Sequence, residues 1–498
     1  MDSWISRRRF LAFLAAAPVA VACGSRGITI PGASIEGGAR LDDAWARINP
    51  TTVSHVVRVD SALGVQRAVA AARQAGAALA VAGGRYAMGG QQLVTGGWVL
   101  DTRGMRHVRN FDTVNGLLNV DAGMLWTDVL AFLATTWESN GEGWTILQKP
   151  LGADRSTIGG SMSANIHGNP LAYPPMVADV ERFMLVGADG PPQTASLSQN
   201  LNLFRLAIGG FGLLGVVTEA TLRLIRRGKV ERVVNEDVVE NAVVAMRDRA
   251  TSGHLYGEFL LSPNHESFND FLRRGVLTTW SPVPIETPLD PAPISEEVLR
   301  ELLLLAHTDP YKAMRTAIDL YVDTSGRVEW SDQMQMGGLP DDHHRELDRE
   351  IEGPRGTDVI TEIFVPRDRL PDFLAAARAL LRGGAMRMIH AVVRLTESDE
   401  ETFLAWAKSR YACVALRFHV TREPAEIERA AGTFRELLDE AIERGGSFHL
   451  AYPRWATREQ LEAAYPRFDE FLRLKRVYDP EDRFQSDWYR HYLGALGA

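Results

Sequence analysis

The chain has 498 residues, 45% hydrophobic and 23% charged, with a formal net charge of -9. That length exceeds what one hydrophobic core organises and calls for two or three domains. The acidic balance excludes a general nucleic-acid binder, which needs a basic footprint on phosphates, but leaves room for an anionic small molecule in a local basic pocket.

Ser6-Arg7-Arg8-Arg9-Phe10-Leu11 matches the twin-arginine export pattern, and the apolar run from Leu11 to Ala22 is too short to span a bilayer. Residues 1–22 are therefore expected to be a signal peptide, cut after Ala20-Val21-Ala22, on a protein exported folded to a periplasmic or extracytoplasmic place. Cys23 follows the cut, which leaves a lipid tether open as an alternative. Residues 23–50 contain Gly, Pro and Ser and read as a linker. From Val53 strands and amphipathic helices alternate: Val56 to Val59 is strand-like, Ser61 caps a helix from Ala62 to Ala75, Ala77 to Val81 is a strand running into Gly83-Gly84, and Trp98 to Asp101 is another. A β-rich stretch follows from Gly116 to Arg226, with one helix near Trp126 to Trp137. Segments around Pro282 to Pro293 and Gly338 to Gly353 read as surface loops. Strand–helix alternation resumes from Val359 to Leu450, and an amphipathic helical tail begins at Ala456. Two cysteines exclude a disulfide framework. Cys413 sits in an apolar strand and reads as packing, and the histidines show no paired metal-ligand spacing, so no metal is expected.

Three glycine-rich segments fall in the first half: Gly83-Gly84-Arg85-Tyr86-Ala87-Met88-Gly89-Gly90-Gln91, Thr157 to Asn169, and Ala207 to Thr218. Glycine lets backbone N–H groups approach an anion and permits positive φ. Three such segments imply one large phosphate-bearing ligand touched at several points. None has the strand–GxGxxG–helix context of a Rossmann site, and no GxxxxGK[ST] is present.

Val59-Asp60-Ser61, the first glycine loop, Val99-Leu100-Asp101, Val120-Asp121-Ala122-Gly123, Ile158-Gly159-Gly160 and the Gly209 to Thr218 segment occur in a specific order. Over residues 52–228 that order resembles the FAD-binding domain of the vanillyl alcohol oxidase / p-cresol methylhydroxylase (PCMH) superfamily. Tyr465-Pro466-Arg467-Phe468-Asp469-Glu470-Phe471, Lys475, Asp479-Pro480 and Phe484-Gln485-Ser486 resemble the C-terminus of its sugar-oxidising branch, which holds the decaprenylphosphoryl-ribose, aldonolactone and alditol oxidases. The resemblance implies an α+β fold. A PCMH-type FAD domain of two α/β subdomains would span 51–228, a substrate or cap domain with an antiparallel sheet covered by helices 229–455, and a segment returning to the FAD domain 456–498. It implies FAD contacts at Gly83, Gly84, Arg85, Met88, Gly89, Gly90 and Gln91 in the first loop, and at Gly123. Further contacts would be Ile158, Gly159, Ser163, Ala164, Asn165, His167 and Gly168 beside the isoalloxazine ring, and Gly212 and Val217 toward the adenine or ribose. Tyr86 stands where many members carry the histidine that bonds FAD covalently, so noncovalent FAD is expected.

The resemblance also gives His167, in Asn165-Ile166-His167-Gly168, a flavin-side role, and places Glu362, in Thr361-Glu362-Ile363-Phe364-Val365-Pro366, against substrate. Strand alternation puts His390 with Arg394 on one face, and Arg417 with His419 opposite Val414, Leu416, Phe418 and Val420. An arginine such as Arg394 near the flavin would stabilise negative charge on the reduced ring. Tyr452 stands by spacing where sugar-oxidising relatives have a lysine, and a neutral phenol cannot supply that charge. The catalytic candidates are His167, Glu362, Arg394, Tyr452 and His419. The expected activity is FAD-dependent oxidation of a CH–OH group in a small sugar, polyol, lactone or related alcohol, with oxygen, a quinone or a redox protein as acceptor. Oxidation of a larger natural product, as in berberine-bridge-type relatives, and flavin binding without turnover are the alternatives.

Overall fold

The computed structural model describes residues 30–494 except 140, 268, 291–294, 338–342, 351–354 and 383–385. The twin-arginine segment and Cys23 lie outside the described residues. Among the described residues no helix is long and apolar enough to cross a membrane.

The chain begins with β1 (Ala33–Leu41) and β2 (Thr51–Val59), then α1 (Ala62–Gln74), β3 (Leu79–Ala82) and β4 (Trp98–Asp101). Ser61 accepts from the Gly64 N–H at 3.2 Å, and Val65, Ala68, Val69 and Ala72 recur at helical spacing to bury one face of α1. The sheet order is β1-β2-β4-β3, with β2, β4 and β3 parallel and β1 antiparallel on the edge. The linker expected at 23–50 is corrected here, because Ala33–Leu41 is a strand in register from Ala33↔Val59 to Leu41↔Thr51. It is a half-exposed edge strand interrupted by Gly37-Gly38, so its alternation is faint in the sequence.

Next come β5 (Val108–Asp112), β6 (Leu117–Asp121), α2 (Trp126–Ala134), β7 (Trp144–Thr145), α3 (Ile158–Ala164), β8 (Val180–Val186), β9 (Gln193–Ser196), α4 (Leu201–Ala207), β10 (Val216–Arg223) and β11 (Ile225–Arg226). The antiparallel sheet β5-β6-β10-β8-β9 packs beside the first. Three helices, not one, interrupt this stretch. The sequence of α3, rich in glycine and serine, is a poor helix former; it is held by Thr157, whose hydroxyl accepts from Gly160 N at 3.1 Å, and it stops where Asn165 turns left-handed at φ 47°.

The second half carries β12 (Lys229–Val238), α5 (Val239–Thr251), β13 (Tyr256–Leu261), β14 (Arg274–Val283), α6 (Glu296–Thr308), α7 (Pro310–Asp323), β15 (Val328–Trp330), α8 (His343–Glu350), β16 (Gly356–Pro366), α9 (Leu370–Leu381), β17 (Arg387–Thr396), β18 (Tyr411–Thr421), α10 (Pro424–Glu443) and β19 (Ser447–Phe448). The strands form one antiparallel sheet, β15-β12-β14-β13-β17-β18-β16-β19. The two segments read as surface loops are partly ordered, since β14 runs to Val283 and α8 lies within 338–353. At the junction of the halves, Arg227 is stacked between Trp137 at 3.4 Å and Trp330 at 3.9 Å and bonds Asp332 at 2.9 Å. The tail ends in α11 (Arg458–Ala464), α12 (Phe468–Tyr478) and α13 (Asp487–Gly494) and docks on the edge of β3, with Leu79 N donating to Arg483 O at 2.8 Å and Gln485 N to Leu79 O at 3.1 Å.

Candidate active site

A cavity of about 520 Å³ is lined both by the glycine loops of the first half and by the large sheet of the second. On its wall lie Gly83, Gly84, Arg85, Tyr86, Met88, Gln91, Gly159, Ser163, Ala164, His167, Gly212 and Val217, together with Glu362, Arg394 and Tyr452. The loops therefore meet in space although about 130 residues separate the first from the last. Their small residues make this possible. A Cβ on Gly83 would overlap the Thr157 hydroxyl, and one on Gly84 would stand 2.8 Å from the Arg155 carbonyl oxygen. Arg85 and Gly212 both take positive φ, 61° and 74°. Such a cradle of close backbone, with the Arg85 guanidinium on the wall, fits the pyrophosphate of a dinucleotide.

Seven expected contacts lie off the wall. Gly123 packs under backbone, since a Cβ there would overlap the Thr102 carbonyl. Ile158 is fully buried core. Gly89 and Gly90 face the tail side, where Arg454 donates to Gly89 O at 2.7 Å. Gly168 donates to Gln148 Oε1 at 3.0 Å. Asn165 braces the turn, accepting from Val177 N at 3.0 Å and donating to Asp399 at 2.9 Å. His419 is drawn away to Asp358, 3.0 Å from its Nδ1, while its strand neighbour Arg417 reaches the cavity. These residues pack against protein and are not on the cavity wall.

At the sheet end, side chains from three distant strands converge. His167 donates from Nδ1 to its neighbour Gly168 O at 2.9 Å, which turns Nε2 toward Glu362 at 3.4 Å and Cys413 Sγ at 3.5 Å. Trp406 stacks on Phe364 at 4.3 Å, lies 5.1 Å from the His167 ring, and donates to Asn165 O at 2.8 Å, so the ring is held from behind. Burial alone would raise the Glu362 carboxyl; His167 beside it outweighs that and holds it down at about 2, so it is ionised near neutral pH. Burial opposes the Arg394 charge as well, yet Glu258, 3.4 Å away, and Glu362 hold the guanidinium above its ordinary value. Burial, and then Glu362, push the Tyr452 phenol well up, so it stays a neutral hydrogen-bonding group.

Sequence reasoning missed His449, Glu258 and Trp45. His449 N donates to Glu362 O at 3.1 Å through the β16–β19 pairing, which places its ring on the cavity wall. Trp45 reaches the wall from the segment read as linker. Cys413, read as packing, is buried and also touches His167. The expectation of no metal-ligand set is corrected in geometry: His167, Glu362 and Cys413, and separately His307, Asp358 and His419, each bring ligand-type atoms within 4.8 Å. Long-range sheet pairing creates these groups, so no sequence spacing marks them. In the second group Arg417 already bonds the Asp358 carboxylate at 2.8 Å, a cation that opposes a divalent ion there.

His449 yields a pH prediction. Burial pushes its imidazole down from the ordinary 6.5 to about 4. The unfolded chain therefore binds a proton in that window that the folded one refuses, and stability falls as pH falls from about 6.5 to about 4, by roughly 3 kcal/mol in full. Asp179, pushed up to about 7 by burial, works in the opposite sense over the same range. Comparing denaturant midpoints of the parent and His449→Asn isolates the histidine: the variant loses less stability on acidification, and parallel curves would refute the assignment.

Residues 53–196 match the FAD binding domain family, and residues 358–492 match the D-arabinono-1,4-lactone oxidase family. The chain is 22% identical over 460 residues to decaprenylphosphoryl-beta-D-ribose oxidase of Mycolicibacterium smegmatis, covering 90% of this chain and 96% of that one. It is 30% identical over 171 residues to the mitochondrial D-lactate dehydrogenase (cytochrome) 1 of Saccharomyces cerevisiae, 32% of this chain and 27% of that one. It is also 35% identical over 77 residues to cytokinin dehydrogenase 9 of Oryza sativa subsp. japonica, 15% of each. Fold, cradle and matched domains define an FAD-dependent oxidoreductase with an α+β architecture. The two domain matches and the full-length relative are consistent with the vanillyl alcohol oxidase / p-cresol methylhydroxylase superfamily.

Proposed function

We propose that the chain oxidises a CH–OH group of a sugar, polyol, lactone or related alcohol. The observation that carries this reading is the ionised Glu362, paired with His167 and sharing the wall of the cradle's cavity with Arg394, His449 and Tyr452. In this reading Gly83, Gly84 and Arg85 would hold the FAD pyrophosphate, and Ser163, Ala164 and His167 would hold its ring. FAD, when bound, would supply the two-electron sink for this oxidation. Tyr452 and Glu362 hold the substrate hydroxyl, whose proton passes to the Glu362–His167 pair as the carbonyl forms. Arg394 offsets the negative charge that develops alongside. The electrons leave to an acceptor of the oxygen, quinone or redox-protein class.

The test is anaerobic bleaching of the bound flavin by a panel of alcohols. Reduction by a secondary or lactol hydroxyl compound, with the matching carbonyl recovered, is the expected result. No reduction by any member overturns the proposal in favour of flavin binding without turnover. A second prediction concerns attachment: with Tyr86 in place of a histidine, acid precipitation releases the yellow colour into the supernatant, and colour in the pellet would refute it.

We also propose export by the twin-arginine route, on the strength of Ser6 to Leu11. The mature N-terminus is then Cys23, bearing lipid if the tether forms, and intact-mass measurement of exported protein checks it.

A further inference from the structure

Beyond Glu362 the cavity continues as an arm between the large sheet and two helices. Leu299, Leu303 and Ala306 follow one another at helical spacing on α6, and Ala313 and Ala317 do so on α7; all five face this space. The floor beneath is also aliphatic, with Leu260, Ile389 and Leu416. The roof is fastened. His307 on α6 sets Nε2 3.0 Å from the Asp358 carboxylate of β16 and Nδ1 2.8 Å from Leu303 O.

The charges along the arm are committed. Past the glycine cradle, the charged side chains on the described wall are Glu362, Arg394 and Arg417. Arg417 bonds Asp358 through Nε at 2.8 Å, and Arg394 faces Glu258 at 3.4 Å. Two further histidines on the wall, His390 and His449, are pushed down by burial, His449 to about 4, so neither adds a cation near neutral pH, and His167 is tied to Glu362 at 3.4 Å; the accessible part of the His390 ring opens onto the cavity. Among the described residues, a phosphate or carboxylate on the substrate would meet no uncommitted cation along the arm and would face Glu362.

We infer that the substrate is an uncharged amphiphilic alcohol, with its hydroxyl head at Glu362 and Tyr452 and a hydrocarbon tail lying in the arm under α6 and α7. This rests on the CH–OH reading above and narrows it: a free polyol would leave the aliphatic wall wet, and a phosphorylated sugar would be repelled. Water displaced from such a wall favours each added methylene of the tail.

The experiment uses the FAD-loaded protein and alkyl glycosides of one sugar, from methyl to decyl, with the free sugar and its phosphate alongside. Calorimetric titration reads binding separately from turnover. The dissociation constant is expected to fall by about threefold to fourfold per methylene until the arm is full, with the sugar phosphate weakest. Ala313→Trp, or Ala317→Phe should the first fail to retain FAD, fills the arm and flattens this series while leaving methyl glycoside binding unchanged. A dissociation constant independent of tail length, or tighter binding of the phosphate, overturns the inference even if the flavin is bleached. Tail-dependent binding with no bleaching by any glycoside upholds the arm and sinks the CH–OH reading instead.

Discussion

Glu362→Gln is expected to slow flavin reduction at saturating substrate by about 10²- to 10⁴-fold while leaving FAD bound. The amide keeps the size of the side chain and removes the charge that pairs with His167 at 3.4 Å. It also removes the carboxylate through which the hydroxyl proton reaches the Glu362–His167 pair. Because the carboxyl is held at about 2, the parent keeps it ionised throughout the ordinary working range, so the defect in the variant should not be recovered by raising pH. Stopped-flow reduction under anaerobic conditions, using an alcohol that bleaches the parent, gives the rate at saturation and the apparent affinity separately. A variant with an unchanged limiting rate and only weaker binding would reduce Glu362 to a binding residue and remove it from the chemistry.

Gly84→Ala should cost the protein its cofactor. The added methyl stands 2.8 Å from the Arg155 carbonyl oxygen and 3.0 Å from the Ser156 Cα, both backbone atoms that cannot swing aside. Relieving that overlap displaces the loop carrying Arg85 and Tyr86. Overpacking of this kind costs about 1–3 kcal/mol; if most of it falls on the bound conformation, FAD affinity drops roughly ten- to hundredfold. Gly190→Ala is the control, since a methyl there meets nothing within 4 Å. FAD content after gel filtration, and the rise in melting temperature on adding FAD back, provide the readout. Equal FAD retention by the two variants would show that the first loop is not the cofactor cradle.

Local chemistry made much of this readable from the chain alone. A glycine that tolerates close backbone approach, or a strand whose alternate residues share a face, carries its message within a few positions. Gly83, Gly84 and Gly212 were legible in that way, and so were His390 and Arg394, which do face the same cavity. The resemblance in motif order brought out Glu362 and His167 as separate candidates. It could not say that they touch.

That contact depends on which strands become neighbours, and strand register is a long-range property. Pairing of β16 with β18 sets Glu362 opposite Ala415 and Phe364 opposite Cys413, and pairing with β19 brings His449 alongside. The same pairing sets Asp358 opposite His419, which binds that histidine to the carboxylate instead of the cavity. Trp45 reached the wall because β1 turned an apparent linker into an ordered edge. The sequence by itself determined a cofactor-binding cradle and the residue types available for redox chemistry. Only the tertiary structure decided which of those residues meet, because hydrogen-bonded register and competition for buried charge act between segments hundreds of residues apart.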